Sequence, residues 1–150
     1  MSAFRVDTDK AALDVALIHR ALASSYWSEQ IPRSVVERAI EGSLCFGGYL
    51  EGRGQIAFGR AVTDGATFAY LADVFVLPEY RGQGYGKRLV AQIMAHPHLQ
   101  GLRRWLLATR DAHALYTRFG FAPLAAPERM MEIHRPALYR NAVPAQGEGA

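Results

Sequence analysis

Gly82, Gly84 and Gly86 occupy every second position in DVFVLPEYRGQGYGKR, the stretch from Asp73 to Arg88 that joins an apolar run to one of helical periodicity. Glycine lets a ligand approach the backbone closely. A helix starting there presents amides without intrahelical partners, together with partial positive charge. A phosphate group matches that combination. Two nucleotide loops fail against these residues. The pattern G-x-x-x-x-G-K-[ST] needs glycine where Arg81 stands and a hydroxyl where Arg88 stands. The G-x-G-x-x-G fingerprint, begun at Gly82, meets Lys87 at its last position, and the preceding strands read as a hairpin meander rather than a βαβ unit. Lys87, Arg88 and Arg118 either add charge toward phosphates or form a solvated helix face.

The elements that must position this loop are legible from periodicity. AFRVD alternates as a short strand, and from about Asp9 the run ALDVALIHRALASSYW has helical spacing. Ser34 and Glu37 have the spacing of a capping box for a second helix that ends near Gly42. Between Leu44 and Leu77, LCFGGYL, QIAFGRAV and TFAYLADVFVL read as an antiparallel meander, with Asp64 and Gly65 at a hairpin turn. Leu89, Val90, Ile93 and Met94 give a helix after the glycines. RWLLAT is a further strand, Asp111 caps the helix AHALYTRF, Gly120 closes it, and residues 129 to 134 give a last strand.

With 150 residues the chain has room for one domain, residues 1–150. Its 50% hydrophobic and 21% charged residues fit a packed core and exclude wholesale disorder. The tail from about residue 142 is too polar to offset its ordering entropy and is expected to be mobile. No apolar run approaches the roughly 20 residues of a membrane helix. MSAFRVDTDK has no signal-peptide core, so a cytoplasmic location is expected. The net charge of +3 comes almost wholly from arginines scattered from Arg5 to Arg140, which suits acidic small ligands better than nucleic acid. Cys45 has no cysteine partner, and His96 and His98 have no carboxylate neighbours, so neither a disulfide nor a metal site is expected.

The run R-G-Q-G-Y-G after an apolar strand resembles the [RQ]-x-x-G-x-[GA] signature of the GNAT-type N-acetyltransferases, with Arg81, Gly84 and Gly86 matching. ALYTRFGF is similar to the second recurrent segment of that superfamily, through Leu115, Tyr116, Gly120 and Phe121. The resemblance spans about residues 3 to 135. It implies an α/β (α+β) GNAT fold: a mixed, mostly antiparallel, twisted sheet of about six or seven strands, splayed beside the coenzyme-binding strand and flanked by about four helices. It further implies acetyl-CoA as cosubstrate, with Val74, Phe75 and Val76 binding the pantetheine arm like an added strand. Arg81, Gly82, Gln83, Gly84, Tyr85, Gly86 and Lys87 would bind the pyrophosphate.

Amine attack on a thioester needs a neutral amine, a polarised carbonyl and a proton for the departing thiolate. By resemblance Tyr116 is the general acid, and a phenol of pKa about 10 keeps its proton at neutral pH. Its alternative is a core aromatic beside Leu115 and Phe119. Some relatives place a glutamate as base where this chain has Leu106 and Leu107. Asp73 is the remaining acidic candidate, either as base or as a buried carboxylate fixing the strand. His113 is a relay or an idle capping-region residue, and Cys45 lacks a base for acyl transfer, which favours direct attack. The acceptor site falls on ASSYWSEQIPRS, where Tyr26, Trp27 and Glu29 suit an ammonium group, the two aromatics reading equally as packing residues. The expected function is acetyl transfer to a primary amine of a small molecule or protein. The rival is a non-catalytic acyl-CoA-binding module that would need no acid. A homodimer is open, and neither a membrane nor a nucleic-acid partner is expected.

Overall fold

The computed structural model describes residues 3–140; the tail expected to be mobile lies outside them. Five strands form one sheet in sequence order: β1 (Phe4–Asp7), β2 (Leu44–Leu50), β3 (Gly54–Thr63), β4 (Phe68–Val76) and β5 (Arg104–Leu106). The first four are antiparallel, and β5 runs parallel to β4. Four α-helices flank the sheet: α1 (Val15–Ala23), α2 (Arg33–Glu41), α3 (Tyr85–Ala95) and α4 (His113–Thr117).

Two apolar clusters hold these layers. Leu89, Val90 and Ile93 of α3 pack on Phe46, Ile56, Ala57 and Leu71. Ile18 and Leu22 of α1, with Val36 and Ile40 of α2, pack against Phe58 and Phe75. All these side chains are buried, and their spacing is the helical or strand period of each element. The hairpin between β3 and β4 forms where Asp64 and Gly65 place it. The Asp64 carboxylate accepts from the amides of Ala66, Thr67 and Phe68 and from the Thr67 hydroxyl. These donors hold its pKa well below the usual carboxylate value.

Several caps differ from the sequence expectation. Asp9 caps a 3₁₀ turn, Lys10–Ala12, and Asp14 caps α1, accepting from the Leu17 amide at 3.1 Å. Helix α1 stops at Ala23, because the Ser24 hydroxyl bonds back to the Arg20 and Ala21 carbonyls and leaves Tyr26 and Trp27 in a loop. No capping box forms at α2. Its N-cap is Pro32, Ser34 lies inside the helix, and Glu37 pairs with Arg33 at 3.2 Å. Asp111 does not cap α4; Thr109 Oγ1 accepts from the Ala112 amide instead. Residues 129 to 134 form no strand. After the 3₁₀ turn Pro127–Arg129 they run without a ladder partner, so the sheet ends at five strands rather than six or seven.

Candidate active site

Strand β4 carries the feature that opens the site. Phe58 pairs with Phe75 and Arg60 with Ala72, so Asp73 and Val74 together oppose the single residue Gly59. This is a β-bulge, and Asp73 within it has φ +57, a left-handed conformation that aspartate tolerates better than most residues. A Cβ on Gly59 would lie 3.1 Å from Ile93 Cδ1 and 3.3 Å from Val74 Cγ2, so glycine makes room for the bulged residue. On the other side, β5 pairs with β4 only through Phe68, Ala69 and Tyr70. Beyond Tyr70 the strands part, and between Leu71 and Val76 those backbone groups of β4 that face away from β3 have no ladder partner.

The split opens into a cavity of about 950 Å³ lined by Val74, Phe75, Val76, Arg81, Gly86, Tyr26, Trp27 and Tyr116, among others. At one end lies the start of α3. Gly84 is its N-cap at φ +87, no side chain caps it, and the first intrahelical bond runs from the Arg88 amide to the Gly84 carbonyl at 3.1 Å. The amides of Tyr85, Gly86 and Lys87 precede that bond and are the orphan donors of the helix start. A Cβ on Gly82 or Gly84 would meet nothing within 4 Å, so space stands open over the loop. The residues therefore fit a ligand with a phosphate at one end and a strand-like amide arm at the other. Arg81 is partly committed, since its Nε donates to the Val76 carbonyl at 2.9 Å. Tyr85 turns its ring onto Phe4, with centroids 4.9 Å apart, and offers only its backbone. Arg88 donates to the Phe4 carbonyl and lies 5.0 Å over its ring, which accounts for that cation.

Tyr116 projects from α4 into the same cavity with 9% of its surface exposed. Burial, with a smaller contribution from Tyr26, pushes its pKa up to about 12. Its ring rests edge-on against Phe121 of the same segment, with centroids 5.9 Å apart, and that contact helps fix the phenol's direction. Among the described residues nothing hydrogen-bonds its hydroxyl, which leaves the O–H free to donate into the cavity.

The two aromatics of the α1–α2 loop divide their tasks. Trp27 Nε1 donates to Asp73 Oδ1 at 2.8 Å, and the Tyr26 hydroxyl accepts from the Arg110 amide at 3.0 Å across the split. The Arg110 guanidinium stacks on the Tyr26 ring at 3.8 Å. Arg110 and Arg20 also line the cavity; neither was singled out from the sequence, because an exposed arginine carries no spacing signal. Glu29 stands apart, accepting from Arg140 at 3.0 Å outside the cavity. Gln83, Gly82 and Lys87 are on the loop but not in the cavity wall. His113 lines a different cavity, behind Tyr116. Cys45 is buried, donates to the Ile40 carbonyl, and has its thiol pKa raised by burial, which leaves it unsuited to carry an acyl group.

The chain matches the family model described as Acetyltransferase (GNAT) family over residues 15–121. A Gibberella zeae protein whose name provisionally makes it an acetyltransferase is 37% identical over 135 residues, covering 75% of each chain. A solved GNAT-family structure from Xanthomonas campestris pv. campestris, provisionally described as an acetyltransferase, is 56% identical, covers 93% of this chain and 98% of its own, and superposes with a TM-score of 0.89. A Clostridium acetobutylicum structure described as an acetyltransferase with acetyl-CoA shares the fold at 16% identity, with a TM-score of 0.66 over 89% of this chain and 96% of that one. The chain belongs to the GNAT acetyltransferase family. Among the described residues no helix is long and apolar enough to cross a membrane.

Proposed function

We propose that the protein transfers the acetyl group of acetyl-CoA to a primary amine by direct attack. The observation that carries this reading is the stretch of β4 left without a partner on its β5 side, opening onto a cavity that Tyr116 lines and that reaches the uncapped start of α3. Acetyl-CoA supplies an activated acyl thioester. The amides of Tyr85, Gly86 and Lys87 bind its pyrophosphate, and Val74 to Val76 hold the pantetheine arm along the strand edge. Both contacts act by fixing the carbonyl near the incoming amine.

In the transfer a C–N bond forms, the C–S bond breaks, and the amine's surplus proton leaves to solvent. Tyr116 donates its phenolic proton to the departing sulfur and is reprotonated from water. Its raised pKa keeps that proton in place throughout the neutral range. Tyr26 and Trp27 form the acceptor wall, and cation–π contact with Tyr26 is available to an ammonium group that displaces Arg110.

The base role considered for Asp73 requires the carboxylate to release a donor, because Arg60 Nε and Trp27 Nε1 occupy its two oxygens. The geometry favours a positioning role, in which the carboxylate braces the bulge and the acceptor loop. The amine then loses its proton to water, which suits an α-amine of pKa about 8 better than a lysine near 10.4. A panel of α-amines, small primary amines and peptide lysines, scored by free-thiol release from acetyl-CoA, tests the reading. Thiol release with at least one amine above the hydrolytic background supports it, and none with any class refutes it.

A further inference from the structure

Most polar side chains on the α1 wall of the cavity are already engaged. The Ser24 hydroxyl donates to the Arg20 and Ala21 carbonyls, and the Ser25 hydroxyl donates to the Leu22 carbonyl and accepts from the Ser28 amide. Trp27 gives its N–H to Asp73. Three other residues that line the cavity near Tyr116 keep free hydrogen-bonding groups: Arg20, Tyr26 and Arg110. The Arg20 guanidinium, in the last turn of α1, has no partner among the described residues. Tyr26 accepts from the Arg110 amide, which leaves its O–H to donate. All three offer donors.

Arg110 is held by its flat face. Its guanidinium lies 3.8 Å over the Tyr26 ring, and its amide is bonded to the same phenol at 3.0 Å. Stacking uses the face of the guanidinium and leaves the in-plane N–H fork for a ligand. Among the described residues that fork meets one carboxylate, Asp111, at 3.7 Å, in a pair whose side chains are 64% and 68% exposed. An exposed pair of that length contributes little and yields to an anion at hydrogen-bond distance. Asp73 has both oxygens occupied, and Glu79 lines the cavity from the turn that leads into the glycine loop. An ammonium group seeking the Tyr26 face must displace Arg110, whereas an anionic group finds the cation already in place.

We propose that the acceptor is a small molecule carrying an anionic group, a carboxylate or a phosphate, besides its amine, and that Arg110 binds this group together with Arg20 and the Tyr26 hydroxyl. The proposal rests on the reading of the cavity as an acetyl-transfer site. Arg110 then determines specificity. Its fork takes the anion in bidentate fashion, and the amine is left to reach the carbonyl beside Tyr116, which lines the same cavity. Amines without the anion leave the stacked guanidinium and the Arg20 guanidinium unanswered, so uncharged amines and peptide lysines bind less well.

Matched pairs of amines with and without the anion test it: alanine against alaninamide, and O-phosphoethanolamine against ethanolamine, with rates compared per neutral amine. The anionic member of at least one pair should have about tenfold higher kcat/KM, carried by KM, and the pair that shows it tells carboxylate from phosphate. Arg110→Gln should cut that preference to less than about threefold, while acetyl-CoA affinity by calorimetry stays within about threefold of wild type. Neutral members turned over as well as anionic ones, or a preference that survives Arg110→Gln, would overturn the proposal and leave acetyl transfer standing. A tenfold loss of acetyl-CoA affinity in the variant would overturn it too, by giving Arg110 to the coenzyme. If no amine releases thiol, the transfer reading falls, and titration of alanine and O-phosphoethanolamine into the CoA-bound protein decides the anion site alone. Binding that Arg110→Gln removes supports the site, and no binding of either compound refutes it.

Discussion

Asp73 accepts a hydrogen bond from Arg60 Nε at 2.7 Å, and the pair is largely buried, with 8% and 19% of the side chains exposed. Arg60 continues through Nη1 to the Ser43 hydroxyl at 2.9 Å, which donates to the Ala39 carbonyl at the end of α2. With Trp27 on its other oxygen, Asp73 ties the β4 bulge to α2 and to the α1–α2 loop. Replacing it by alanine leaves a partly buried guanidinium unpaired, and about 2–4 kcal/mol of stability should be lost in urea denaturation. The conservative Asp73→Asn should raise KM for the amine while lowering kcat less than about tenfold. A loss of about a thousandfold in kcat at unchanged KM would assign it the base role instead.

Tyr116→Phe removes one oxygen from a ring already packed on Phe121. Coenzyme affinity should change by less than about threefold, and kcat should fall about a hundredfold. Because the wild-type phenol titrates only near pH 12, kcat should show no basic limb from this group between pH 7 and 10. Stability follows the same shift. The unfolded tyrosine ionises near pH 10 and the folded one near 12, so stability is intact below the first value and declines as pH rises through the second. Denaturation midpoints at pH 9 and 11 should show that decline, and Tyr116→Phe should lessen it.

Gly84 holds φ +87 at the α3 N-cap, where a β-branched side chain is strained even though the space is open. Gly84→Val should abolish the thermal stabilisation that acetyl-CoA gives the wild type. The unliganded melting temperature should drop by only a few degrees. Undiminished stabilisation in the variant would separate the loop from phosphate binding.

Asp64 is held ionised by four donors of its own turn. Its folded pKa lies below the ordinary 3.8, so its contribution is present above that value and is lost as pH falls through the folded one. Acid titration of stability should therefore be steeper in wild type than in Asp64→Asn, which keeps the shape but not the charge.

The five strands, the glycine loop at the start of α3 and the place of Tyr116 on α4 are legible because each rests on a local signal: period two, three spaced glycines, or a short motif. Caps were less so. Asp9 and Asp14 are equivalent as cap formers, and only the docking of Gln55 Oε1 onto the Asp14 amide at 2.7 Å, a long-range contact, selects the second. The Ser34 and Glu37 spacing is overridden by Pro32, which fixes an extended φ/ψ two residues earlier. Arg60 and Arg110 went unseen as site residues because their partners Asp73 and Tyr26 are distant in sequence. The strand pattern of residues 129 to 134 is real as a pattern, but a ladder requires a neighbour, and the single chain provides none there.

Hydrogen–deuterium exchange with and without saturating acetyl-CoA tests the central assignment most directly, since the proposed contacts are backbone amides. Protection should rise at Val74–Val76 and at Gly82–Lys87, while α2 exchanges as before. Unchanged exchange across β4 and the α3 start, with protection gained elsewhere, would contradict the assignment.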